Sequence, residues 1–100
     1  MKEISVTELK QLKDENANYQ LVDVREQYEF DEANLNGILI PMGEVMDNLD
    51  KIARDKKVIV HCRSGKRSAG VIQALEKQHG YDNLYNLKGG ILAYIEEIGL

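Results

Sequence analysis

The stretch Lys56-Lys57-Val58-Ile59-Val60-His61 most constrains what this chain can fold into. A continuous apolar run of β-formers, entered from two lysines, fits a central strand buried on both faces. Such a strand belongs to a sheet with helices packed on both sides. The rest of the sequence supplies the partners. Residues 3–6 (EISV) read as a first strand. Ser5 with Glu8 forms a capping box for a helix VTELKQLKDE, whose Leu9 and Leu12 share a face. YQLVDV is a second strand, rich in β-formers. REQYEFDEA is a short helix closed by the turn residues NLNG, and ILIP is a third strand ended by Pro41. Residues 42–54 hold one or two short helices around Met46, Leu49 and Ile52. Beyond the central strand, Ser68 to His79 carries the helical stripe Val71, Ile72 and Leu75, with Gly80 just past its end. NLYNL is a fifth strand, KGG a turn, and ILAYIEEI a closing helix. This alternation predicts an α/β domain with a mainly parallel five-stranded sheet flanked by helices on both faces.

A chain of 100 residues with no repeat and no linker makes one domain, residues 1–100. Apolar residues at 43% and charged residues at 30% fit a folded globular chain and exclude a disordered one. The net charge of −4 argues against nucleic acid or an anionic membrane as a partner, while leaving room for a local basic patch. The N-terminal MKEISVTELKQL lacks a signal-peptide core, and no apolar run is long enough to span a bilayer. The one cysteine cannot form an internal disulfide, so a reducing, cytoplasmic setting and a monomer are expected. Two histidines and one cysteine without ligand spacing give no reason to expect a metal.

That cysteine sits in His61-Cys62-Arg63-Ser64-Gly65-Lys66-Arg67-Ser68. In a parallel sheet, ligands bind beyond the C-terminal ends of the strands, and Cys62 lies there. Ser64-Gly65 supplies a tight turn into the next helix, whose N-terminal N–H groups and dipole favour an anion. Arg63, Lys66 and Arg67 add positive charge. A cysteine of pKa near 8.5 is only a few per cent thiolate at pH 7. Stabilising the anion by about 2.7 kcal/mol lowers that pKa by about two. A helix terminus gives roughly 0.3–1 kcal/mol, so N–H donors and cations must supply the rest. A lone cysteine after a strand is more often a small buried hydrophobe. The polar, cationic residues that follow point instead to a reactive thiol. The bland readings hold elsewhere: His61 ends its strand with a satisfied hydrogen bond, and His79 is a surface residue near a helix C-terminus. Tyr81, Tyr85 and Tyr94 are core or rim. Glu26, Glu29, Asp31 and Glu32 form a solvated helix face.

Three segments in order resemble the single-domain rhodanese-like sulfurtransferase family, over almost the whole chain. They are LVDVREQYEFDEANLNGILIP, VIVHCRSGKRSAGVIQAL and GYDNLYNLKGGILAY. The resemblance implies a five-stranded parallel sheet between helices and a ping-pong sulfur transfer through a cysteine persulfide. Carried onto this chain, Cys62 is the nucleophile. The backbone of Arg63, Ser64, Gly65, Lys66, Arg67 and Ser68 cradles the persulfide. Arg63, Lys66 and Arg67 hold a small sulfur-donor anion such as thiosulfate, and no cofactor or metal is needed. Asp23 and Arg25, after the second strand, share the catalytic edge, as supports of the site or as a structural ion pair. Two departures from the family pattern stand out: Asn34-Leu35-Asn36-Gly37 where His-Ile-Pro-Gly is usual, and Tyr94 where Trp is common.

Three rival readings use the same residues. Cysteine phosphatases resemble this loop, but they place five residues between Cys and Arg, whereas four separate Cys62 from Arg67. The smaller ring suits one sulfur atom better than a tetrahedral phosphate. A non-catalytic binding module would not need the cysteine. A relay of sulfur between a protein donor and a protein acceptor would need it equally.

Overall fold

The structure, a computed structural model, describes all residues from Met1 to Leu100. Five strands form one parallel sheet: β1 (Glu3–Ile4), β2 (Tyr19–Asp23), β3 (Ile38–Leu39), β4 (Lys57–His61) and β5 (Leu84–Leu87), in the order β1-β5-β4-β2-β3. The apolar run expected at the centre is there. β4 lies between β5 and β2, and Val58, Ile59 and Val60 are each at most 1% exposed.

The strand's alternation sorts its side chains into two cores. Val58 and Val60 join Val71, Ile72 and Leu75 of α3 (Lys66–His79). The same core takes Val45 and Ile52, from the 3₁₀ turns Met42–Asp47 and Leu49–Lys51 and the residue after them. Ile59 faces the other way, into a core with Leu9 of α1 (Val6–Asp14) and Ile91 and Tyr94 of α4 (Gly90–Glu97). Helices therefore cover both faces, as the double-sided burial of β4 requires. The short α2 (Gln27–Glu32) buries no side chain fully and joins β2 to the edge strand β3.

Local chemistry sets the element ends. The Ser5–Glu8 capping box is formed at both bonds, Glu8 N–H to Ser5 Oγ at 3.1 Å and Ser5 N–H to the Glu8 carboxylate at 3.0 Å. α3 begins at Lys66, two residues ahead of the expected Ser68, because Gly65 already turns the chain with φ +104°. The segment 42–54 holds only 3₁₀ turns, and β3 is two residues long. In the Asn34–Gly37 turn, Asn34 bonds to Phe30 O and Asn36 N–H, while Leu35 buries itself in the second core. No helix is long and apolar enough to cross a membrane.

Candidate active site

β4 delivers the chain to the carboxyl end of the sheet at His61, and Cys62 is the next residue. Gly65 N–H points at its sulfur from 3.1 Å, and the Ser68 hydroxyl oxygen lies 3.4 Å from it. The start of the loop is held from behind by α4 (Gly90–Glu97). Ile91 N–H donates to the Cys62 carbonyl at 3.0 Å, and Leu92 N–H to the Arg63 carbonyl at 3.1 Å. The first turn of α4, whose N–H groups have no partner within the helix, thus draws two successive loop carbonyls to one side. In planar trans peptides the N–H groups of the same units, those of Arg63 and Ser64, then face the opposite side, and the αL turn at Gly65 carries the chain on into α3. Gly90 permits this approach. A Cβ there would stand 2.3 Å from the Arg63 carbonyl oxygen, at a φ of +61°.

Cys62 is 1% exposed. Burial pushes its thiol pKa up. The Ser68 hydroxyl, when its proton is turned to sulfur, and the backbone N–H groups of Ser68, Gly65 and Ser64 outweigh that effect and hold the thiol below its ordinary value. The direction is that of a sulfur nucleophile.

The cations of the loop divide into two kinds. Arg63 and Lys66 are exposed, as is Ser64. Arg67 instead makes a bidentate pair with Glu29 of α2, Nη1 to Oε1 at 2.7 Å and Nη2 to Oε2 at 2.9 Å. Glu29 is therefore not part of a solvated face: its side chain is 14% exposed and pins α2 to the start of α3. Arg67 holds the Glu29 carboxyl at about 2, against an ordinary 4.5, and its own pKa is raised in return. A carboxylate depressed in the fold adds stability above its unfolded value, lost as pH falls through the folded one. The contribution should therefore vanish between pH about 4.5 and about 2. Urea midpoints of wild type and Glu29→Gln should converge over that window, and a gap unchanged down to its lower end would contradict the pairing.

Asp23 and Arg25 form a buried ion pair. Arg25 Nη2 meets Asp23 Oδ2 at 2.8 Å and the Ala33 carbonyl at 2.7 Å, and Arg25 N–H meets Asp23 Oδ1 at 2.9 Å. Asp23 pairs in register with His61, so both lie at the carboxyl edge, yet neither Asp23 nor Arg25 hydrogen-bonds to the loop 62–68. His61 departs from expectation. Its Nε2 is buried without a hydrogen-bond partner, 3.7 Å from Asp23 Oδ2, and its Nδ1 makes only a long 3.4 Å contact with the Cys62 carbonyl. Burial drives the imidazole pKa down against the pull of Asp23, so the ring is neutral. Tyr81 and Tyr94 are core and Tyr85 is partly buried, while His79 is exposed at the end of α3.

The rhodanese-like domain family model matches residues 5–97. This chain belongs to that family. The Bacillus subtilis protein YtwF, provisionally named a sulfurtransferase, is 34% identical over 94% of this chain and 90% of its own length. A tRNA uridine(34) hydroxylase of Bdellovibrio bacteriovorus is 32% identical over 94% of this chain, which spans only 28% of that enzyme. Among solved structures, a rhodanese-like domain protein from Staphylococcus aureus superposes with a TM-score of 0.85 at 35% identity, covering 94% of this chain and 91% of that one. The five-stranded parallel architecture is thus that of the rhodanese-like fold.

Residues that the sequence did not single out complete the site of this rhodanese-like domain. Asn86 of β5 accepts from the Ser68 hydroxyl at 2.6 Å and donates to the Gly65 carbonyl at 3.1 Å. It is an amide in a buried strand, on the same face as Leu84, and that polar interruption was the available signal. Glu29, and the Gly89-Gly90 pair that starts α4, carried no comparable mark, because their roles depend on contacts between distant segments.

Proposed function

We propose that this rhodanese-like domain carries sulfane sulfur as a persulfide on Cys62. The Cys62 thiolate attacks the outer sulfur of a donor such as thiosulfate. The donor's S–S bond breaks, and sulfite leaves with the bonding electron pair. An acceptor such as cyanide or a thiol then attacks the terminal sulfur, and the Sγ–S bond breaks to return the thiolate. The observation that carries this reading is the Gly65 N–H aimed at Sγ from 3.1 Å, in a loop whose Cys62, Arg63 and Gly65 carbonyls are bound elsewhere. Donors of this kind stabilise an anionic sulfur before and after transfer. No cofactor enters any step.

Arg63 and Lys66 are the cations open to a dianionic donor, since Arg67 is engaged by Glu29. Exposed contacts of this kind are screened by salt, so the thiosulfate KM should rise with ionic strength. The direct test is intact mass after incubation with thiosulfate, and the expected result is a gain of one sulfur atom, reversed by cyanide. An unmodified chain after prolonged incubation would remove the small-anion reading.

A relay between proteins is a second reading, favoured by one observation. Beside the loop lies a groove of ≈ 360 Å³ lined by Arg63, Tyr28, Leu92 and Ile95 among others. Tyr28, Leu92 and Ile95 are 69%, 44% and 43% exposed, an apolar rim that thiosulfate does not need. Sulfur loading from a protein persulfide at concentrations where thiosulfate fails would select the relay.

A further inference from the structure

Ser68 Oγ lies 3.4 Å from Cys62 Sγ and 2.6 Å from Asn86 Oδ1, and a hydroxyl has one proton to give. The orientation of the Asn86 amide decides where that proton goes. Asn86 Nδ2 donates to the Gly65 carbonyl at 3.1 Å. Turning the amide over would set two carbonyl-type oxygens against each other at that distance and lose the bond. Oδ1 must therefore face Ser68. At 2.6 Å that contact requires the hydroxyl proton to lie between Ser68 and Asn86. Ser68 is fully buried and Asn86 is 5% exposed, so water does not supply a substitute donor readily. In this arrangement Ser68 presents its lone pairs to the sulfur, which favours the neutral S–H form. To stabilise a thiolate, Ser68 must rotate its proton away from Asn86 and towards Sγ.

We infer that Asn86 is a positioning residue that withholds the Ser68 proton from Cys62 and thereby sets the acidity of the nucleophile. The inference concerns the same sulfur as the proposed sulfur transfer, but it stands on thiol titration alone and does not require any donor to react. Other charges near the sulfur are fixed by different partners. Arg63 and Lys66 on the loop are exposed. Arg67 on α3 is tied to Glu29 of α2. On β4 and β2, His61 is neutral and Asp23 is paired with Arg25. The titratable side chain of β5, Tyr85, packs with the opposite core, and the first turn of α4 carries none. The hydroxyl contested by Asn86 is thus the uncharged donor whose commitment can change.

The test is the pH profile of iodoacetamide alkylation of Cys62 in wild type, Ser68→Ala, Asn86→Ala and the double variant, each checked for folding by near- and far-ultraviolet circular dichroism. Asn86→Ala should move the midpoint down by about one pH unit, because Ser68 is released to donate to the thiolate. Ser68→Ala alone should not raise it, and in the Ser68→Ala background the Asn86 effect should vanish. A purely structural role for Asn86 would move the profile regardless of Ser68. A marked rise in Ser68→Ala would show that the proton already rests on sulfur and would overturn the inference. An equal shift on removing Asn86 with and without Ser68 would overturn it too. If Asn86→Ala does not fold, the Ser68→Ala profile still decides, since a rise there is the opposite of what is expected. Failure of sulfur loading with thiosulfate would count against the proposed function and leave this titration result untouched.

Discussion

Cys62→Ser should abolish sulfur loading and sulfur transfer to below detection while leaving the fold in place. A serine oxygen is not converted to a persulfide under these conditions, and the change removes little volume from a site that is 1% exposed. The hydrogen bond that now reaches Sγ from Gly65 N–H can be accepted by an oxygen, and a serine hydroxyl there can meet Ser68 Oγ, after small adjustment. The expected result is an unchanged circular dichroism spectrum, a urea midpoint close to wild type, and no mass gain with thiosulfate. Transfer at the wild-type rate would mean that sulfur does not travel through this residue. Loss of activity together with loss of structure would point to Cys62 as a packing residue, which is what a lone cysteine after a strand often is.

The second large effect is expected far along the chain. Gly90→Ala places a Cβ 2.3 Å from the Arg63 carbonyl oxygen and 2.7 Å from the Cys62 carbonyl oxygen, both of them backbone atoms. It also puts an L side chain at a φ of +61°. The left-handed backbone alone costs roughly 1–2 kcal/mol, and the clash must be relieved by moving α4 or the loop. A destabilisation of about 3 kcal/mol or more, read from urea unfolding, should accompany a steep fall in sulfur loading. Gly70→Ala is the control. It lies inside α3 with nothing within 4 Å of an added Cβ, so it should stabilise the protein by about 0.5–1 kcal/mol. Equal stability of the two variants would show that the α4 contact does not hold the loop.

Much of this was legible in the sequence because it is encoded locally. The Val58–Val60 run gave the central strand, and the alternation of periods gave the layers around it. The Ser5–Glu8 capping box was readable residue by residue and is fully formed. The place of Cys62, just past β4 and ahead of a helix N-terminus, followed from the same logic. What could not be read is what depends on partners distant in the chain. Arg67 looked like a free cation because Glu29 lies 38 residues away. Gly90 looked like a turn residue because its close neighbours are the carbonyls of Cys62 and Arg63. His61 was expected to be satisfied, as most buried polar groups are, and its Nε2 is an exception. The segment 42–54 does hold the short helices its apolar spacing suggested, two of them, but their 3₁₀ hydrogen-bond pattern was not readable from that spacing.

The clasp between α4 and the loop also bears on how the protein is made. During synthesis, the sulfur and its whole loop leave the ribosome well before Ile91 and Leu92, whose N–H groups orient the loop carbonyls. Until those residues emerge, the Cys62 and Arg63 carbonyls are not held away from the sulfur, and the thiol should lie closer in acidity to an ordinary cysteine. A chain cut before residue 90 should thus carry a less acidic thiol than the full chain. The environment of the thiol is thus complete only once α4 has packed against the loop.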